Sequence, residues 1–222
     1  MIITKTPYRI SFFGGGSDYP NWYNKYEGAV LSTSINKHLY ITCRILPKFF
    51  EHKFRIVWRK IEIVQNTKDI EHPTVRNLLN ILKIKDGLEI HYDGDLPARS
   101  GMGSSSAFTV GLIKALYCLL NKKILNIDIA KKAIFFEQQI MKEVVGSQDQ
   151  RAGANGWFNK IALCKYNKIK LNNFKKVKNL KKLENNLLLI YTGVRRTAQE
   201  IAKTYAGKLL TTNKGYINEM ID

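Results

Sequence analysis

The sequence predicts a mixed α+β fold, and three observations carry that expectation. Strand-patterned runs fill most of the first 65 residues, two long helical runs occupy roughly 104–144, and strand patterns return at 157–166 and 186–193. With 222 residues, 45% of them hydrophobic, the chain can bury the core of one ordinary domain, or of one domain and a fragment.

Taken in order, "IITKTPYRISFF" reads as a strand that ends in Gly14, Gly15 and Gly16. "GAVLSTSI" and "HLYITCRIL" read as two strands parted by the polar pair Asn36 and Lys37. "FRIVWRKIEIVQ" alternates as a third, half-exposed strand. "PTVRNLLNILKI" has helical spacing with Pro73 near its start, and "GLEIHYDGDL" alternates again. The two long helices cover about Ser104–Leu120 and Ile127–Val144, and "GSQDQ" is a polar turn leading through "RAGANG" to the strand "WFNKIALCKY". Beyond the basic run "NNFKKVKNLKKLENN", which reads as a solvated loop or helix face, "NLLLIYTG" looks like a buried strand and "VRRTAQEIAKTYAGKLL" like the helix behind it. The charged stretch near Lys175–Asn186 is the expected domain boundary, and the strand and helix beyond it are too small to make a core alone.

Composition narrows the function. The net charge of +18 raises nucleic acid as a partner, but the lysines are dispersed among asparagine and isoleucine instead of forming a stripe, so no nucleic-acid partner is expected. Cys43, Cys118 and Cys164 are odd in number and set among apolar neighbours, which suits buried free thiols in a reducing cytoplasm. The four histidines lack zinc-ligand spacing. "MIITKTPYRISFF" has no uninterrupted apolar core, and no apolar run is long enough to span a bilayer, so a soluble cytoplasmic protein with no membrane partner is expected.

Three stretches could carry chemistry. In "LPARSGMGSSSAF", Gly101 and Gly103 allow close backbone approach, and Ser104, Ser105 and Ser106 open a helix whose positive end suits a phosphate; a plain serine-capped helix start is the alternative. No "GxxxxGK[ST]" occurs, so a P-loop lysine is absent. In "PYRISFFGGGSDYP", the glycine triplet with Ser17 and Asp18 could line a ligand, with Arg9 supplying a cation, or could form a simple turn. In "GSQDQ", Asp149 suits a general base held by hydrogen bonds, or a helix cap, and Glu137 could share a hard cation with a serine hydroxyl or lie on the surface.

These three stretches, in this order, resemble the galactokinase–homoserine kinase–mevalonate kinase–phosphomevalonate kinase (GHMP) superfamily. "RISFFGGGSDYP", "GSQDQ" and the later "YTGVRRTAQEI" most resemble its D-glycero-D-manno-heptose 7-phosphate kinases. The resemblance implies a two-domain GHMP-kinase fold. An N-terminal domain over 1–183 would hold a mixed sheet with packed helices, and 184–222 would begin an incomplete α/β C-terminal domain. It implies ATP and Mg2+ as cofactors and a sugar phosphate as the small-molecule partner. ATP would lie along Pro97, Ser100, Gly101, Met102, Gly103, Ser104, Ser105 and Ser106, with Ser105 and Glu137 on the metal. Asp149 would take the proton of the anomeric hydroxyl, and Arg9, Gly15, Gly16, Ser17 and Asp18 would line the sugar. Lys37, Arg195 and Arg196 are candidates for the phosphate already on the heptose, Arg196 matching the motif better. The implied product is the 1,7-bisphosphate, a precursor of GDP-heptose and surface glycans.

Other readings are a galactose-, fucose- or mevalonate-type kinase, an inactive relative that binds sugar or nucleotide, and, from the charge alone, an RNA-binding protein. Two departures from the family stand out. Trp157 occupies the place of the second glycine of a pair, and the sequence ends at Asp222 before the family's third glycine-rich motif. An exposed apolar face around "LLLIY" is therefore expected.

Overall fold

The structure, a computed structural model, describes residues 1–98, 100–166, 168–174, 178–190, 192, 193, 202, 215, 217 and 219. Its strands are β1 (Ile2–Phe13), β2 (Gly28–Ile45), β3 (Phe54–Val57), β4 (Ile61–Val64), β5 (Leu88–Gly94), β6 (Phe158–Cys164) and β7 (Lys168–Phe174). Its helices are α1 (Pro20–Tyr26), α2 (Pro73–Ile81), α3 (Ser104–Leu119), α4 (Asn126–Phe135), α5 (Asp149–Asn155) and α6 (Leu180–Asn185). The fold is the α+β class that the residue patterns predict, with one mixed sheet and packed helices.

β2 is the spine of that sheet. It pairs antiparallel with β1 along Leu31–Cys43, with β5 over Leu39–Ile45 and with β6 over Gly28–Thr33. β3 joins β5 in parallel, and β4 and β7 lie at the two ends of the order. The register slips between Pro7 and Arg9, where β1 crosses from pairing with His38 to pairing with Ser34. Asn36 and Lys37 thus sit in a bulge inside one continuous strand, not in a break between two. "FRIVWRKIEIVQ" is likewise a hairpin, closed where the Trp58 N–H donates to the Lys60 carbonyl at 2.9 Å.

α3 buries one side along the sheet, with Leu112, Ala115 and Leu116 at 0% exposure against Ile41, Leu39 and Cys43. Gly111 allows this approach, since a Cβ there would stand 2.8 Å from Thr6 Oγ1. Near the start of α3, Phe108 stacks on His72 with ring centres 4.8 Å apart, and the Trp58 ring packs on the other side of His72 at 4.7 Å. Burial pushes the His72 imidazole down to about 4, so it packs as a neutral aromatic. Cys43 is buried as expected, whereas Cys118 is exposed.

The basic region is more ordered than its composition suggests. β7 is an edge strand whose alternate residues face solvent, the setting in which lysines discourage further strand pairing. Leu187, Leu188, Leu189 and Ile190 are 47–82% exposed and in no regular element, instead of the buried strand that their apolarity predicts. Of the helix expected over 194–210, only Ala202 is among the described residues, where it is helical and buried.

Trp157 has φ +65°, so the left-handed conformation that suits glycine is needed at this position. Its carbonyl accepts from Ser34 N at 2.9 Å and Asn159 Nδ2 at 3.0 Å, which fixes the backbone there. Trp157→Gly and Trp157→Ala both remove the half-exposed indole, but only alanine keeps the strain. The glycine variant is expected to be the more stable of the two by about 1 kcal/mol in urea unfolding. Equal stabilities would show that the left-handed backbone carries no cost.

Candidate active site

The site is built where three loops meet: the segment after β1, the segment before α3, and the segment before α5. Gly103, in the left-handed conformation at φ 76°, is the cap of α3, and no side chain caps the helix start. The serine-capped alternative therefore does not describe this helix. A glycine at this position brings no side chain to the helix start.

Arg9 ties the loops together. Its Nε and Nη2 donate to the two carboxylate oxygens of Asp149 at 2.6 and 2.7 Å, and its Nη1 donates to the Gly101 carbonyl at 3.0 Å. The Arg9 backbone N–H also reaches the Met102 carbonyl at 3.3 Å. A bidentate guanidinium–carboxylate pair fixes both position and plane of the acid. A Cβ on Gly103 would stand 3.3 Å from Asp149 Oδ2, so the carboxylate lies against the glycine-serine loop. Asp149 opens α5 instead of lying in a simple turn.

Asp18 joins the first loop to the third. It is 2% exposed, accepts from Gly16 N at 3.1 Å and Gln148 N at 3.3 Å, and its carbonyl accepts from Ser147 N at 3.0 Å. Burial, and then the charge of Asp149, push its carboxyl up to about 6. Gly146 leaves room for it, because a Cβ there would fall 1.8 Å from Asp18 Oδ2. Ser17 is fully buried and donates to the Gly14 carbonyl at 2.7 Å, so its hydroxyl shapes the loop. Gly16 has φ 98°, and Gly15 faces open space apart from Ser11 Oγ at 3.9 Å.

Glu137 is 1% exposed on a π-helical turn, Phe136–Ile140, that extends α4. Such a widened turn changes the phase of the helix and is common at functional sites. It turns Gln138 toward the third loop, where Nε2 donates to Val145 O at 3.1 Å and Ser147 Oγ at 3.1 Å. Glu137 Oε2 accepts from Ser106 Oγ at 2.8 Å and Gln150 Nε2 at 2.5 Å. Burial pushes its carboxyl up to about 7, against the pull of Thr109, Gln150 and Ser106 beside it. Its Oε1 and the Oε1 of Gln150 are buried without partners, an oxygen donor set that fits a hard divalent cation.

Among the residues read from sequence, the structure brings Arg9, Gly101, Met102, Gly103 and Asp149 into contact, and Asp18 into the same loops. Ser105 is exposed at the helix start, and it is Ser106 that reaches Glu137. Ser100 Oγ is buried without a partner, and Pro97 is half-buried at the head of the loop. Lys37 is exposed in the β2 bulge, with no described contact to the Arg9–Asp149 pair. Arg195 and Arg196 lie outside the described residues. Sequence reasoning missed Gln138, Gln150 and Ser106 as partners of the buried acid and its loop; only the amide-rich "GSQDQ" signalled that Asp149 has hydrogen-bonding neighbours.

A glycine-capped helix, an acid clamped by an arginine and a buried glutamate are thus set against one mixed sheet. The chain matches the GHMP kinases N terminal domain over residues 62–156. It is 30% identical, over 94% of its length, to D-glycero-alpha-D-manno-heptose 7-phosphate kinase of Campylobacter jejuni, and spans 64% of that relative. The crystal structure of a D-glycero-D-manno-heptose 1-phosphate kinase from Bacteriodes thetaiotaomicron has the same fold, with TM-score 0.78 at 22% identity, covering 99% of this chain and 76% of that one. The mevalonate kinase of Methanococcus jannaschii matches with TM-score 0.67 at 19% identity, over 99% of this chain and 69% of that one. No helix among the described residues is long and apolar enough to cross a membrane.

Proposed function

We propose that the protein is an ATP-dependent sugar-phosphate kinase acting on the anomeric hydroxyl of D-glycero-D-manno-heptose 7-phosphate. The observation that carries this reading is Arg9, which joins the Asp149 carboxylate and the glycine-serine loop through one side chain. A base is thereby set beside a phosphate-binding helix start, which is the arrangement that in-line transfer to an alcohol requires.

In this mechanism the α3 start, Gly101, Gly103 and Ser104–Ser106 hold the ATP phosphates through backbone N–H and hydroxyl groups. Asp149 accepts the proton of the acceptor hydroxyl as its oxygen bonds to the γ-phosphorus. The bond from that phosphorus to the bridging oxygen breaks, and ADP carries away the electron pair. Arg9 keeps the carboxylate aimed, and Asp18, Gly15, Gly16 and Ser17 line the acceptor side. Glu137, with Ser105 or Ser106, would hold Mg2+, which supplies charge neutralisation for the phosphates. Arg196, with Lys37 as the alternative, is the sequence candidate for the phosphate already on the sugar. The product would be the 1,7-bisphosphate, feeding nucleotide-linked heptose and surface-glycan synthesis in the cytoplasm.

The names of the two heptose-kinase relatives put phosphate on different carbons of the sugar, so the test is a substrate panel. ADP release from Mg-ATP is measured with heptose 7-phosphate, heptose 1-phosphate, galactose and mevalonate. Turnover with the 7-phosphate above the others is the expected result. Turnover with an unphosphorylated acceptor alone would replace this reading with a galactose- or mevalonate-type one.

A further inference from the structure

Arg151 lies two residues after Asp149 in the first turn of α5 and is only 2% exposed. A guanidinium keeps its charge at any working pH, and burying it without a counter-ion costs several kcal/mol. Its Nε and Nη1 nevertheless meet no acceptor. Among the described residues no carboxylate forms an ion pair with it.

Several buried polar groups surround this part of α5, the Asp18 carboxylate beside Ser147 among them. The Tyr23 hydroxyl shares a hydrogen bond with Ser147 Oγ at 3.3 Å. The indole Nε1 of the adjacent Trp22 is buried with no partner. Ser11 and Ser32 oppose one another on β1 and β2, and both hydroxyls are buried without partners. Ser34, two residues along β2, donates to the Ala152 carbonyl of α5 at 3.4 Å. Val30, two residues the other way, packs with Trp22 and Tyr23. These unpaired groups therefore lie between α1, α5 and one face of the sheet. Guanidinium and indole N–H groups can only donate, and hydroxyls can do so. Around Glu137 the unpaired groups are acceptors instead, Oε1 of Glu137 and Oε1 of the Gln150 that donates to it.

We propose that Arg151 anchors an anion subsite, and that Arg151, in place of the sequence candidates Arg196 and Lys37, takes the phosphate already carried by a sugar-phosphate acceptor. The assignment rests on the kinase reading above. Asp149 is held by Arg9 against Gly103, and Arg151 follows it two residues on in α5, so an acceptor lying across the start of α5 would meet the base with one end and the guanidinium with the other. A phosphate oxygen accepts from Nε and Nη1 in the forked geometry for which arginine is suited. Arg151 is only 2% exposed, so an anion reaches it only when the segments packed over it part, and pairing the orphaned guanidinium favours their return.

Thermal denaturation of the full chain under saturating Mg-ADP tests this, with inorganic phosphate, mannose 6-phosphate or mannose as probe. The wild-type midpoint is expected to rise with the two phosphates and not with mannose. Arg151→Met should be at least as stable without ligand, since an uncompensated charge is gone, but should show no phosphate-dependent rise. Arg151→Lys, which keeps the charge and loses the fork, should weaken apparent phosphate affinity by about tenfold or more, and serves alone if the methionine variant does not fold. An equal rise in wild type and variants, no rise in any of them, or a rise with inorganic phosphate alone would overturn the proposal. Absence of a Mg-ADP shift would instead count against the kinase reading, leaving the phosphate arm to report on Arg151 separately.

Discussion

Asp149→Asn is expected to lower the turnover number for phosphoryl transfer by about 10²–10⁴-fold, while the KM for ATP stays within a few-fold. Asparagine has the shape of aspartate and can still present one oxygen to Arg9, but it cannot take a proton at neutral pH. The helix start that would hold the phosphates belongs to a different element, α3, and its glycine cap does not depend on the acid. Binding of Mg-ADP should therefore persist in the variant, as calorimetry would show. The variant also loses one charge of a bidentate pair whose side chains are 15% and 24% exposed, so a moderate fall in stability accompanies the kinetic loss. A fall in turnover of less than about tenfold would mean that the proton leaves by another route. The mechanism would then reduce to positioning and charge, with Asp149 serving to orient Arg9.

The parts of the molecule legible in the sequence are those where a local pattern decides the outcome. β1 alternates cleanly, and α3 carries an apolar run too long for a strand. The hairpin of β3 and β4 escapes because its turn, Trp58, Arg59 and Lys60, contains no glycine or asparagine, and only the charged pair Arg59 and Lys60 shifts the phase of the apolar alternation. The break expected at Asn36 and Lys37 is the opposite case, two polar residues tolerated in a bulge because β1 continues past it while β6 and β5 pair with β2 on either side. β7 hides in lysines and asparagines because an edge strand faces water on alternate residues. At the site, glycine spacing marks the loops, and the lone acid in "GSQDQ" marks Asp149. Helix phase is another matter. Whether Ser105 or Ser106 turns toward Glu137 depends on where α3 starts, and that is set by Gly103 adopting φ 76°. The orphaned state of Arg151 is a long-range property, invisible until α1, α5 and β2 are packed together.

Gly14→Ala is expected to cost about 4 kcal/mol or more, enough to lower the thermal midpoint by about 8–16 °C or to prevent folding. Gly14 has φ +77°, and a Cβ there would fall 1.8 Å from the Ala29 carbonyl oxygen and 3.2 Å from the Val30 Cα. Both obstacles are backbone atoms of β2, the strand that holds the sheet together, so no side chain can swing aside. The Gly14 carbonyl also accepts from Ser17 N at 3.1 Å and Ser17 Oγ at 2.7 Å, which locks the loop in that position. Gly15→Ala is the control, since its methyl would meet only Ser11 Oγ at 3.9 Å and should change stability by less than about 0.5 kcal/mol. The pair separates two roles within one glycine triplet. Gly14 lets the chain pass β2, whereas Gly15 leaves space where the acceptor sugar is proposed to lie. Gly15→Ala should therefore keep the fold and raise the KM for the sugar phosphate more than that for ATP. If its kinetics match the wild type, the acceptor does not approach this turn, and the sugar side of the site must be sought around Asp18 and Arg151 instead.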